Sequence, residues 1–146
     1  MKAFRFSLEQ VRSWRLEQAE LEELKLQKIH AELQSLHSMA RRVQAEADQA
    51  ARSVLGGARI EADALAGLDS FREHSRGKLK KIAEQTKDCR QRADTQRQKL
   101  IEMRRQFELL DRLKKKAMAE WIHARDKEQE ELAAELFLAK RTRDQD

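Results

Sequence analysis

The chain has 146 residues, a mass of 17.1 kDa and a net charge of +5, with 39% charged and only 5% aromatic side chains. It contains no proline, tyrosine or asparagine and four glycines, and it is rich in Glu, Lys, Arg, Gln, Ala and Leu, the residues that lose least on entering a helix. This excludes sheets and loop-rich folds and predicts an all-α chain of few, very long helices; the spacing described below makes it a long antiparallel two-helix coiled-coil hairpin with a projecting C-terminal helix.

A single coiled-coil domain is expected over 1–146: helix one at about 4–55, a turn at about 56–59 and helix two at about 60–141. The first fourteen residues, "MKAFRFSLEQVRSW", concentrate three large aromatics, Phe4, Phe6 and Trp14. Along helix one, Leu26, Ile29, Leu33, Leu36, Ala40, Val43, Ala47, Ala50 and Val54 follow alternating steps of three and four, the seam of a coiled coil. Next comes "VLGGARIEADAL". Adjacent glycines weaken a helix and supply the left-handed backbone that closes a helix C-terminus, so Gly56 and Gly57 mark the bend.

From Leu65 the same stepping runs through Leu68, Arg72, Ser75, Leu79, Ile82, Thr86, Cys89, Ala93, Gln96, Leu100, Met103, Phe107, Leu110, Lys114, Ala117, Trp121 and Ala124. "SFRE" at 70–73 has the form of a capping box, which leaves open a later start to the regular second helix. Facing residue numbers in a hairpin add to a constant, and the heptads allow about 108, 115 or 122. A turn centred on Gly57 and Ala58 selects 115, pairing Leu33 with Ile82, Leu36 with Leu79 and Leu26 with Cys89. Between Glu9 and Glu32 there are six acidic and four basic residues, and between Arg76 and Arg105 four acidic and eleven basic, so the two strands attract within one chain. In this register Leu8 lies opposite Phe107, and from about Leu109 the second helix has no partner for some 45 Å at ~1.5 Å per residue. That stretch still carries Leu110, Leu113, Trp121, Leu132, Leu136 and Leu138. An apolar face without an internal partner usually has an external one, and the aromatics gather at the same open end.

Other chemistry finds little support. The single Cys89 cannot form an internal disulfide, and scattered histidines do not make a zinc site. No metal, cofactor or catalytic residue is expected, and the chain does not read as an enzyme. Its basic residues are interleaved with acids and lack an aromatic platform between them, so nucleic acid is not the expected partner. No apolar run reaches the ~20 residues of a membrane span, and no secretory signal is read at the start, so a cytoplasmic protein without a transmembrane segment is expected.

"FRFSLEQVRSWR" resembles the N-terminal pattern of the FliJ family of bacterial flagellar export proteins, in which Phe-x-Phe-x-Leu is followed three residues on by Val. "GGARIEADALAGLDSFREH" is similar to that family's bend, and "LLDRLKKKAMAEWIHARDKEQEELAAELF" to its C-terminal stretch. The resemblance covers essentially the whole chain. It implies an antiparallel coiled coil like the central stalk of rotary ATP synthases, whose open end enters the pore of the hexameric flagellar export ATPase and favours ring assembly and turnover. It also implies contact with the cytoplasmic domain of the membrane export gate, handling of empty export chaperones, a need for the protein in flagellum assembly and motility, and a place on the cytoplasmic face of the inner membrane at the flagellar base.

Carried onto this chain, the ATPase-binding residues are Phe4, Phe6, Leu8, Val11, Trp14, Leu110, Leu113 and Trp121, and the export-gate-binding residues are Met39, Val43, Phe71 and Ile82. Arg42, Ser75 and Lys78 stand near positions where the family is more apolar. The alternative from another class is a scaffold coiled coil that self-associates through Leu132 to Leu138.

Overall fold

The structure, a computed structural model, describes residues 1–145. It consists of two α-helices, α1 (Glu9–Leu55) and α2 (Ala62–Arg143), which pack against each other as the all-α hairpin expected from the two seams and the glycine pair. Helix ends match the helix dipole: Glu9 and Asp63 lie in the first turns, and Arg52, Lys140, Arg141 and Arg143 in the last, where each sign is favoured by a few tenths of a kcal/mol. Among the described residues no helix is long and apolar enough to cross a membrane.

Helix α1 starts five residues later than expected. Residues 1–8 lie outside it, and the Leu8 carbonyl accepts the first helical hydrogen bond, from the Arg12 N–H at 2.9 Å. The reason is the spacing of the aromatics. Phe4 and Phe6 are half-buried while Arg5 and Ser7 are exposed, an alternation that an extended chain presents on one side and a helix cannot.

The connection spans residues 56–61 rather than 56–59, and α2 begins at Ala62 with the Leu65 N–H bonded to the Glu61 carbonyl at 3.1 Å. Ser70, Gly67 and Gly77 are interior to α2, so the helix does not wait for the capping box. No glycine takes a left-handed backbone, which corrects the expected role of the pair. Gly56 is needed for a different reason. Its N–H donates to the Arg52 carbonyl at 3.0 Å, and a Cβ there would lie 2.7 Å from that oxygen. Gly56→Ala is therefore expected to destabilise the hairpin by about 1–2 kcal/mol. Gly57→Ala, whose Cβ would meet only an ordinary contact at 3.5 Å, stays within about 0.5 kcal/mol. Thermal melts of the two variants check the difference.

The chain divides into two compact units, Leu21–Leu100 and Met1–Glu20 with Ile101–Asp146, called here the turn unit and the terminal unit. In the turn unit the seam read from the sequence is the buried stripe: Leu36, Ile82 and Cys89 form a core cluster flanked by Ile29, Leu33, Ala40 and Val43, and Leu68, Ser75, Ala93, Gln96 and Leu100 are buried along α2. At the start of α2 the stripe departs by one residue, with Ala64 half-buried and Leu65 exposed.

The register differs from 115. The Cys89 thiol donates to the Ile29 carbonyl at 3.5 Å and Arg92 Nη2 to Glu32 Oε1 at 2.8 Å, where that register would set Thr86 and Ala83 opposite. The pairs average close to one heptad further along α2, the 122 alternative. A six-residue connection permits this shift, and the Glu32–Arg92 contact fits it. The buried Gln96 amide donates to the Glu22 carbonyl at 3.0 Å and to its carboxylate, satisfying a polar group that would otherwise be costly to bury. As expected from the strand charges, Glu32 of α1 and Arg92 of α2 form an ion pair.

Candidate functional site

The terminal unit is built around a charged network at the start of α1. Arg12 donates to Asp111 Oδ1 through Nε at 3.1 Å and Nη2 at 2.8 Å, and through Nη1 to Glu9 Oε1 at 3.2 Å. Lys114 lies 2.9 Å from Glu9 Oε2 and Lys115 3.0 Å from Asp111 Oδ2. Glu9 Oε2 is buried, and the Lys114 ammonium approaches it off the hydrogen-bond direction, so charge pairing satisfies this oxygen. The Arg12 guanidinium also stacks over the Phe107 ring, 5.1 Å from its centroid, and Arg15 bonds Gln106.

These contacts correct the facing pairs. Arg12, not Leu8, covers Phe107, and α1 reaches Lys114 where the 115 register placed Gln106 opposite Glu9. The sequence stripe contained Lys114 and Phe107 but had no signal for Arg12 with Asp111, because pairing across helices depends on register.

Residues 1–8 continue along α2 beyond the start of α1. Trp121 Nε1–H donates to the Lys2 carbonyl at 3.1 Å, the Phe4 and Trp121 rings meet at 6.0 Å with a 58° tilt, and the Met1 amino nitrogen lies 3.9 Å from a Glu128 carboxylate oxygen. The Arg125 guanidinium also lies over the Trp121 ring, 5.2 Å from its centroid. Thus α2 is partnered as far as Glu128, not only to Leu109, and the stretch left without a partner, to Arg143, is about 22 Å long at ~1.5 Å per residue. Every described residue from Asp126 onward is exposed.

The eight expected ATPase-binding residues separate into two groups. Phe4, Phe6, Leu110 and Trp121 are half-buried, and Phe4 and Trp121 hold the N-terminal segment on α2. Leu8, Val11, Trp14 and Leu113 remain 40–50% exposed. Leu109 and Ile122, which were not singled out, are exposed as well. A groove of about 350 Å³ beside the network has Met118, Ala119 and Ile122 as its apolar wall and Lys114 and Lys115 on its rim.

In the turn unit, Met39, Val43 and Ile82 line one groove of about 400 Å³ with Arg42, Glu46, Lys78, Lys81 and Gln85. Phe71 is 37% exposed and does not line it. Ile82 is 8% exposed and belongs to the core cluster, so its principal contact is internal. Arg42, Lys78 and Lys81 outnumber Glu46 in its lining, so the groove is basic.

The network shifts its carboxylates. Lys114 holds Glu9 below the ordinary 4.5 against the opposing effect of burial, with help from Arg12, and Arg12 followed by Lys115 holds Asp111 below 3.8. A lowered folded-state pKa contributes stability that is complete above the unfolded value and lost as pH falls through the folded one. Docking of residues 1–8 and the start of α1 is therefore expected to be unchanged above about pH 4.5 and to weaken progressively below it. Trp121 fluorescence in a Trp14→Phe background should shift to the red over that range, and Glu9→Gln should diminish the shift.

Comparison with family models, with characterised proteins and with solved structures finds no match for this chain.

Proposed function

We propose that the chain is a non-enzymatic stalk of the bacterial flagellar type III export apparatus, acting in the cytoplasm at the inner membrane. Its terminal unit inserts into the hexameric export ATPase and favours ring assembly and turnover. Its turn unit touches the cytoplasmic domain of the export gate, and it handles empty export chaperones in support of flagellum assembly and motility. The resemblance of the three sequence stretches motivates this reading.

The observation that carries it is the pairing, within the terminal unit, of a firmly held backbone with uncovered apolar side chains. Ion pairs and the Trp121 hydrogen bond hold both strands, yet Leu8, Val11, Trp14 and Leu113 face solvent. A stalk acts by favouring one arrangement of a ring whose subunits cycle through nucleotide states, and a stiff helical pair with anchoring apolar residues suits that task. The neighbouring Lys115, whose side chain is largely exposed, supplies a contact that tolerates sliding.

The test is the ATP hydrolysis rate and hexamer fraction of the flagellar export ATPase, with and without a stoichiometric amount of the protein. More hexamer and faster turnover support the proposal. No change in either, with the added protein helical by circular dichroism, removes it.

A further inference from the structure

We infer that the unpartnered end of α2 pairs with the same segment of a second copy in antiparallel orientation. This surface is separate from the residues assigned to the ATPase, and the inference stands independently of that assignment.

The first support is the spacing of apolar residues. Leu132, Leu136 and Ala139 are spaced by four and three, one residue out of step with the seam that reaches Ala124, so they form an apolar stripe of their own past the point where residues 1–8 stop covering α2. Leu132 and Leu136 are 52% and 72% exposed, and Phe137 and Leu138 add further uncovered area beside them. A seam of this kind is completed by a facing helix.

The second support identifies that helix. Charge along the segment is unevenly divided: Asp126, Glu128, Glu130, Glu131 and Glu135 outnumber Lys127 up to Leu136, and Lys140, Arg141 and Arg143 outnumber Asp144 beyond it. A second copy running antiparallel sets Leu132 against Leu136 and Leu136 against Leu132. The same placement sets Glu128 of each helix opposite Lys140 of the other, twice over by symmetry. A parallel copy would set the acids against each other, which costs stability. The segment is thus self-complementary in one orientation only.

The paired surface is short beside the ~1,200–2,000 Å² of stable complexes, so pairing is expected at about 100 µM rather than at nanomolar concentration. Sedimentation equilibrium of the full chain should show the mass rising from 17.1 kDa towards twice that value over this range. Raising salt to about 0.5 M should shift the midpoint several-fold upward by screening the charges. Leu136→Lys, on a fully exposed stretch, should remain helical and monomeric.

Orientation is read by mixing Leu132→Cys and Leu136→Cys chains under mild oxidation. Disulfides joining the two different chains should exceed those joining like chains, and the buried Cys89 does not compete. A wild-type chain monomeric at 1 mM, a dimer that survives Leu136→Lys, or a predominance of like-chain disulfides would each overturn the inference.

Discussion

Ile82→Ala is expected to lower the stability of the turn unit by about 2–4 kcal/mol, the usual loss when a large buried aliphatic side chain is truncated to alanine. Ile82 packs with Leu36 and Cys89 in the core cluster, with Ile29, Leu33, Ala40 and Val43 around them. No other element is available to close the space left behind. By contrast, Met39→Ala, at a position 45% exposed, should change stability by no more than about 0.5 kcal/mol. Denaturant melts followed by circular dichroism distinguish the two. The contrast also separates structure from recognition at the proposed gate contact: Met39→Ala and Phe71→Ala chains remain folded, and their binding to the export-gate cytoplasmic domain can be titrated directly. A loss of gate binding in Ile82→Ala alone would report unfolding.

Replacing Leu8, Val11, Trp14 and Leu113 together by alanine is expected to leave helix content unchanged while reducing stimulation of the export ATPase by at least about tenfold, the effect of some 1.4 kcal/mol of lost binding preference. These four side chains are exposed in the terminal unit, so their truncation opens no cavity. Phe4→Ala with Phe6→Ala acts differently. Those rings are half-buried, and Phe4 packs on Trp121, so the double variant should free residues 1–8 from α2 and uncover Trp121, visible as a red shift in its fluorescence. Full stimulation by the folded quadruple variant would take the exposed set out of the mechanism. Stimulation retained by the quadruple variant but lost in the Phe4 and Phe6 variant would move the contact to the docked segment.

Much of the fold was legible because helix-forming composition and three-four spacing are local properties. Leu36, Ile82, Cys89, Ala93 and Leu100 were on the seam read from the chain and are buried in the structure. Their placement needs no knowledge of the partner helix, since the apolar face of a helix follows from spacing alone. The two glycines likewise located the reversal. The candidate site was less legible. Trp14 and Leu113 could be named as apolar residues near the open end, but nothing local distinguishes an exposed aromatic such as Trp14 from a docked one such as Trp121.

The sequence by itself determined that this protein is two long helices, which of their faces meet, and roughly where they reverse. Only the tertiary structure decided the register, because a heptad repeat is degenerate: apolar layers one heptad apart are nearly equivalent. The choice falls to specific polar pairs, Glu32 with Arg92 and Arg12 with Asp111. The same holds for residues 1–8. Propensity would extend α1 through them, but burial of Phe4 and Phe6 and the Trp121 hydrogen bond to Lys2 favour a non-helical segment, since burial against a partner outweighs the few tenths of a kcal/mol per residue that propensity contributes.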